Sequence, residues 1–133
     1  MNSGDEGNLI SMEIGGTSCD VLLMSSGEVA TRDDVDIAGY HVSTPAIDIH
    51  TIGAGGGTIA GVDEAGLLFV GPEGAGALPG PACYGKGGEN PAVTDADIAL
   101  GYLNPGYFLG GSQTLDKEAS EKALEEKVAK PLG

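Results

Sequence analysis

The residues best suited to chemistry lie together near the start of the chain, in the stretch Glu13-Ile14-Gly15-Gly16-Thr17-Ser18-Cys19-Asp20. Two glycines at the tip of a turn let the backbone double back and approach a ligand with no Cβ in the way. Consecutive N–H groups in such a turn can converge on an anion, and the hydroxyls of Thr17 and Ser18 add donors that suit phosphate oxygens. The flanking carboxylates, Glu13 and Asp20, are of the type that holds Mg²⁺ through water. The same residues also fit a plainer description, a hairpin turn in which Gly-Gly serves the backbone alone. Spacing leaves both open.

Further candidates follow downstream. Asp48 and His50 stand two apart in an extended stretch, which places both side chains on one face. Such a pair can polarise a substrate, bind a metal or move a proton, or it can be structural, with Asp48 holding the tautomer of His50. Gly53-Ala54-Gly55-Gly56-Gly57 reads either as a loop that approaches a ligand or as a flexible connection; it lacks the lysine of a Walker loop. Cys83 would need a neighbouring base or cation to act as a nucleophile, and Lys86 alone is close in sequence, so a packing role is the simpler reading. Asp95 and Asp97 read as helix caps, with a metal role as the minority reading.

The elements that must position these residues are mostly short. Asn8–Ile14 and Cys19–Met24 read as two strands around the glycine turn, followed by a turn at residues 25–28 and a third strand near Val29. His41–Ile49 is extended, with Pro45 at a bend or edge. A second hairpin joins Thr58–Val62 to Leu67–Val70 through Asp63-Glu64-Ala65-Gly66. Residues 71–90 show no period and read as a long functional loop. A helix is predicted from Thr94 to about Leu103, stopped by Asn104-Pro105-Gly106, and another from about Asp116 to Lys130, ended by Pro131. The pairs Glu118–Lys122 and Glu126–Lys130 would support the latter, with Ala119, Ala123, Leu124 and Val128 on its apolar side.

Composition narrows the class. Glycine accounts for 24 of 133 residues, well above the roughly 7% that is typical, and its clustering argues for shaped loops. The net charge of −14 has the wrong sign for nucleic-acid or anionic-membrane partners. Any bound phosphate must therefore rely on backbone N–H groups, a divalent cation or a partner chain. Cys19 and Cys83 match no metal or redox spacing and read as reduced thiols. No apolar run reaches the length of a membrane span, and Met1–Glu6 lacks the features of a signal peptide, so a soluble cytoplasmic protein is expected. Both ends read as cuts, which makes residues 1–133 a single partial domain.

Several of these segments together resemble the hydantoinase A / 5-oxoprolinase family of the actin-like ATPase superfamily. The glycine turn is similar to that family's phosphate hairpin, Asp-Met-Gly-Gly-Thr-Ser-Thr-Asp-Val, with Glu13 in place of its first Asp and Cys19 in place of its second Thr. Asp48-Ile49-His50-Thr51-Ile52-Gly53-Ala54-Gly55-Gly56-Gly57-Thr58-Ile59-Ala60, Gly80-Pro81-Ala82-Cys83-Tyr84-Gly85-Lys86-Gly87-Gly88 and Val93-Thr94-Asp95-Ala96-Asp97 resemble it in the same order. The resemblance implies a mixed α/β fold, a β-hairpin-rich sheet with flanking helices within an actin-like (ribonuclease H-like) ATPase domain. It implies ATP and Mg²⁺ as cofactors, phosphate at Gly15, Gly16, Thr17, Ser18 and Asp20, metal near Asp20 and Glu13, and Asp48 and His50 in a catalytic role. It further implies that the chain is an inner piece of a subunit that works with a hydantoinase B-like partner on a lactam, hydantoin or ketone. The alternative is a non-catalytic domain whose glycine loops dock a partner subunit.

Overall fold

The computed structural model describes residues 7–133; residues 1–6, read above for a signal peptide, lie outside them. The fold is mixed strand and helix, as expected, and the described residues divide into two compact units. One comprises residues 7–13 together with Cys19–Ile52; the other comprises Ile14–Ser18 and Gly53–Gly133.

The first unit is built from strands β1 (Leu9–Ile14), β2 (Cys19–Ser25), β3 (Glu28–Val29), β4 (Thr31–Arg32), β5 (Val35–Ile37), β6 (Tyr40–Val42), β7 (Ala46–Ile47) and β8 (Ile49–Ile52). β2 is central: β1 and β3 flank it, and β8 runs antiparallel to its first half from Cys19↔Ile52 to Leu22↔Ile49. The extended stretch predicted around Pro45 breaks there into separate strands, because Pro45 has no N–H for a ladder. Among the described residues of this unit only Cys19 is fully buried, while Leu9, Ile10, Met12, Ile49 and Ile52 are exposed. Its strands therefore carry apolar side chains without a core of their own.

The second unit holds the hairpin of β9 (Thr58–Val62) and β10 (Leu68–Gly74) and the helices α1 (Val93–Ala99) and α2 (Lys117–Leu124). Asp63 closes the hairpin, its Oδ1 accepting from the N–H groups of Ala65 and Leu67. Cys83, Ile98 and Leu115 form the core, with Tyr84, Leu103 and Phe108 packed on it.

Helix α1 ends earlier than the sequence reading placed it. Gly101 adopts a positive φ of 80°, its N–H bonds to Ile98 O, and the N–H of Tyr102 bonds to Asp97 O. This is a Schellman closure, which glycine enters at no steric cost. The other helix starts where expected, with Asp116 as its cap, accepting from Ala119 N–H at 2.9 Å. Beyond α2 the helix widens into a π turn over Glu125–Ala129 and closes with Lys130–Leu132, so Pro131 sits inside the final turn rather than ending it. A widened turn eases the clash that a proline ring makes with the carbonyl four residues back. It also moves Lys130 onto Glu125, at 3.2 Å, in place of Glu126.

One buried side chain joins these parts. Asp95, wholly inaccessible, accepts from Ala82 N–H (3.2 Å), Cys83 N–H (2.8 Å), Ala92 N–H (2.8 Å) and the Ser120 hydroxyl (2.8 Å). The bond to Ala92 is the helix cap read from sequence; the other three tie α1 to the 82–84 turn and to α2. Ser120 can lie on the apolar side of α2 because its hydroxyl is used in this way. Replacing Asp95 by Ala strands four donors at once, and a loss of at least about 3 kcal/mol is expected in urea denaturation. Asp95→Asn, which turns an NH₂ toward N–H donors, is expected to recover only part of it.

Candidate functional site

In the second unit the glycine turn is held from behind. Gly15 N–H donates to Ser18 O at 2.8 Å and closes the turn. Gly56 N–H donates to Gly15 O at 2.9 Å, and Gly57 N–H donates to Gly16 O at 2.7 Å. In a trans peptide the carbonyl and the following N–H point in opposite directions. Pinning the carbonyls of Gly15 and Gly16 to the 55–57 loop therefore turns the N–H groups of Gly16 and Thr17 the other way. Neither donates to any described residue. The Thr17 side chain is exposed and that of Ser18 half-buried.

The two kinds of glycine here differ in what they are for. A Cβ on Gly55 would lie 2.6 Å from Gly15 O and 2.8 Å from Thr17 N, so the loop can back the turn only without a side chain. A Cβ on Gly16 would meet nothing within 4 Å, and its φ lies outside the left-handed region. Internal packing does not require glycine at 16, and the space a side chain would take there is open.

The 55–57 loop is itself fixed. Thr58 N–H donates to Gly55 O at 3.0 Å, Gly55 N–H donates to Thr58 Oγ1 at 2.7 Å, and Ala75 N–H donates to Gly57 O at 2.7 Å. Sequence reasoning left this segment between a ligand loop and a flexible connection. It is a rigid backing for the turn, and the buried Thr58, the first residue after the glycines, was its available signal.

The candidate carboxylates and His50 belong to the first unit. Asp20 on β2 accepts from the Thr51 hydroxyl of β8 at 2.6 Å. Glu13 on β1 is exposed. Asp48 lies just before β8 rather than within it, with its N–H bonded to Ala30 O, so it and His50 do not share a strand. Its carboxylate is taken by Arg32, Nη2 to Oδ1 at 2.5 Å, and Arg32 also donates to Ile49 O at 3.1 Å. His50 Nε2 stands 3.9 Å from Asp48 Oδ2, beyond hydrogen-bond range, on a side chain 74% exposed. Sequence reasoning gave Arg32 no role in the site, although it is the only Lys or Arg before Lys86. Among the described residues no group of three or more His, Cys, Asp or Glu side chains is arranged to hold a metal ion.

Cys83 is buried. Burial, then the adjacent Asp95 carboxylate, push its thiol up to about 12, and Lys86 lies over the Tyr84 ring, its Nζ 5.5 Å from the centroid. Burial raises Tyr84 as well. The thiol packs in the core, as the simpler sequence reading had it.

Comparison with known proteins adds to this geometry. The family model described as hydantoinase/oxoprolinase matches residues 1–133. The caprolactamase subunit alpha of Pseudomonas jessenii is 50% identical over 126 residues, covering 95% of this chain and 18% of its own length. The acetophenone carboxylase gamma subunit of Aromatoleum aromaticum is 45% identical over 130 residues, again 95% of this chain and 18% of its own. The crystal structure of an ATP-dependent caprolactamase from Pseudomonas jessenii superposes with a TM-score of 0.79 at 48% identity, covering 95% of this chain and 18% of that one. The chain thus spans about a fifth of the length of these relatives.

Folded Cys83 keeps its proton up to about 12, whereas the unfolded thiol releases it near 9.0. Its contribution to stability is therefore complete below pH 9.0 and is lost as pH rises toward about 12, with Tyr84 adding in the same direction. Denaturation at stepped pH is expected to show this decline, and Cys83→Ala to flatten the thiol's part of it. Iodoacetamide at about pH 8 is expected to modify Cys83 only after unfolding.

Proposed function

The chain belongs to the hydantoinase/oxoprolinase family, and we propose that it is the phosphate-holding part of an ATP-dependent subunit acting on a lactam, hydantoin or ketone. The observation that carries this reading is the back-pinned turn, whose two unused N–H groups, at Gly16 and Thr17, stand under open space beside the hydroxyls of Thr17 and Ser18. Donors fixed before a ligand arrives are what a phosphate site needs in a chain with so few cations. When bound, ATP supplies the phosphoryl group that activates the substrate oxygen.

Within this reading Gly15 and Gly16 shape the turn, and the amides of Gly16 and Thr17 with the two hydroxyls hold phosphate oxygens. Asp20, whose Oδ1 accepts from Thr51, and Glu13 would be the residues that hold Mg²⁺ through water. Exposed His50 is the candidate proton carrier, and Asp48 is oriented by Arg32. The partner is a hydantoinase B-like subunit; the matched relatives are themselves named as subunits. Two free cysteines are consistent with a reducing cytoplasm. The exposed apolar residues of β1 and β8 favour a second reading, a docking module without catalysis, which predicts partner binding with no affinity for nucleotide.

Calorimetric titration of Mg·ATP into the subunit that carries this chain separates the two. Gly16→Ala is expected to weaken binding about tenfold or more while leaving urea stability near that of the parent, because the added Cβ meets only open space. Asp20→Ala is expected to weaken it about tenfold. Unchanged affinity in both variants would sink the phosphate reading. The isolated chain is expected to show no ATP turnover; measurable turnover would refute the view that it is one part of a larger site.

A further inference from the structure

We infer that Thr94 is a positioning residue for the phosphate turn, acting through Gly56; the inference rests on the phosphate reading given above. Thr94 lies in the first turn of α1 and is 7% exposed. Its N–H and its hydroxyl both donate to the same acceptor, Gly56 O, at 2.8 Å and 2.7 Å. Gly56 N–H in turn donates to Gly15 O. Gly56 is thus clamped at both ends, by the helix on one side and by the turn on the other.

The contact is fitted on both sides. A Cβ on Gly56 would stand 2.9 Å from Thr94 Oγ1, so the double donation needs glycine opposite the threonine. A β-branched residue in a helix brings no local advantage. The hydroxyl does not cap its own helix but crosses 38 positions of chain to reach the loop. The backbone N–H is one of the donors that the first turn of any helix leaves without a partner inside the helix. The start of α1 cannot drift, because Asp95, the next residue, is tied to the 82–84 turn and to α2. The direction in which Gly16 N–H points is therefore set from the helical part of the second unit through two hydrogen-bonded steps, Thr94 to Gly56 and Gly56 to Gly15.

The test compares Thr94→Val, which keeps the shape and removes the hydroxyl, with Thr94→Ser, which keeps the hydroxyl. Both are made in the full subunit that carries this chain, and Kd for Mg·ATP is measured by calorimetry well below the nucleotide-free melting temperature of each variant. Thr94→Val is expected to raise Kd about fivefold, and Thr94→Ser to stay within about twofold of the parent. If Thr94→Val lowers the melting temperature but leaves Kd unchanged, the residue is structural only and the inference falls. Failure of Thr94→Ser to rescue binding overturns it too, since the hydroxyl would not be the agent. Gly16→Ala in the same series keeps the two ideas apart. If Gly16→Ala weakens binding and Thr94→Val does not, positioning alone fails; if neither does, the phosphate reading fails with it.

Discussion

Backbone can lie directly against backbone only where no Cβ intervenes, and the contact between Gly15-Gly16 and the 55–57 loop is built on that constraint. Two N–H groups of one glycine segment meet two carbonyls of the other, and a Cβ on Gly55 would part them. The geometry of the turn is consequently a tertiary property, since residues about forty positions apart decide which way its amides face. The clustered glycines, read from sequence as shaped loops, here produce tight ones. The loop is held at Gly55 by Thr58, at Gly56 by Thr94 and at Gly57 by Ala75, so none of its glycines is left to move independently.

The buried Asp95 follows the same physics. In a chain with 20 acidic and 6 basic residues, this carboxylate has no cation beside it and is satisfied by three backbone N–H groups and one hydroxyl. Desolvating a carboxylate is costly, and four converging donors are what make its burial tolerable. The chain thus accommodates one anion inside with fixed dipoles, the means by which the glycine turn would hold another at its surface. The raised Cys83 thiol follows from the same packing, because burial first, and then the Asp95 carboxylate beside it, oppose a negative charge on the sulfur.

What could be read from the sequence was mostly local. The strands around the glycine turn, the β9–β10 hairpin and the start of the last helix near Asp116 follow from alternation, turn residues and helix signals. The residues of the turn itself were legible by type and by resemblance. The long-range terms were not. Asp95 could be read as a cap on its own helix, but its bonds to Cys83 and Ser120 depend on packing that no spacing encodes. The end of α1 was misplaced because Asn104-Pro105 is a strong stop signal and Gly101, one glycine among 24, gives a weak one. Glu126–Lys130 gave way to Glu125–Lys130 because a π turn changes the period on which the i,i+4 rule rests, and within α2 the pair formed is Lys117–Glu121 rather than Glu118–Lys122. Arg32 was isolated in sequence, and only the pairing of β4 with β7 brings it to Asp48.

Fixing the turn's carbonyls from behind also has a kinetic consequence. Donors that need no rearrangement impose little ordering cost on a ligand, so encounter rather than reorganisation would govern how fast a phosphate is captured. That encounter takes place in the field of a chain whose net charge is −14. Added salt, which slows anion capture by basic pockets through screening of attraction, would here screen repulsion and speed it. Magnesium bound to the nucleotide would serve first as a charge shield on approach, before any role it has at the turn.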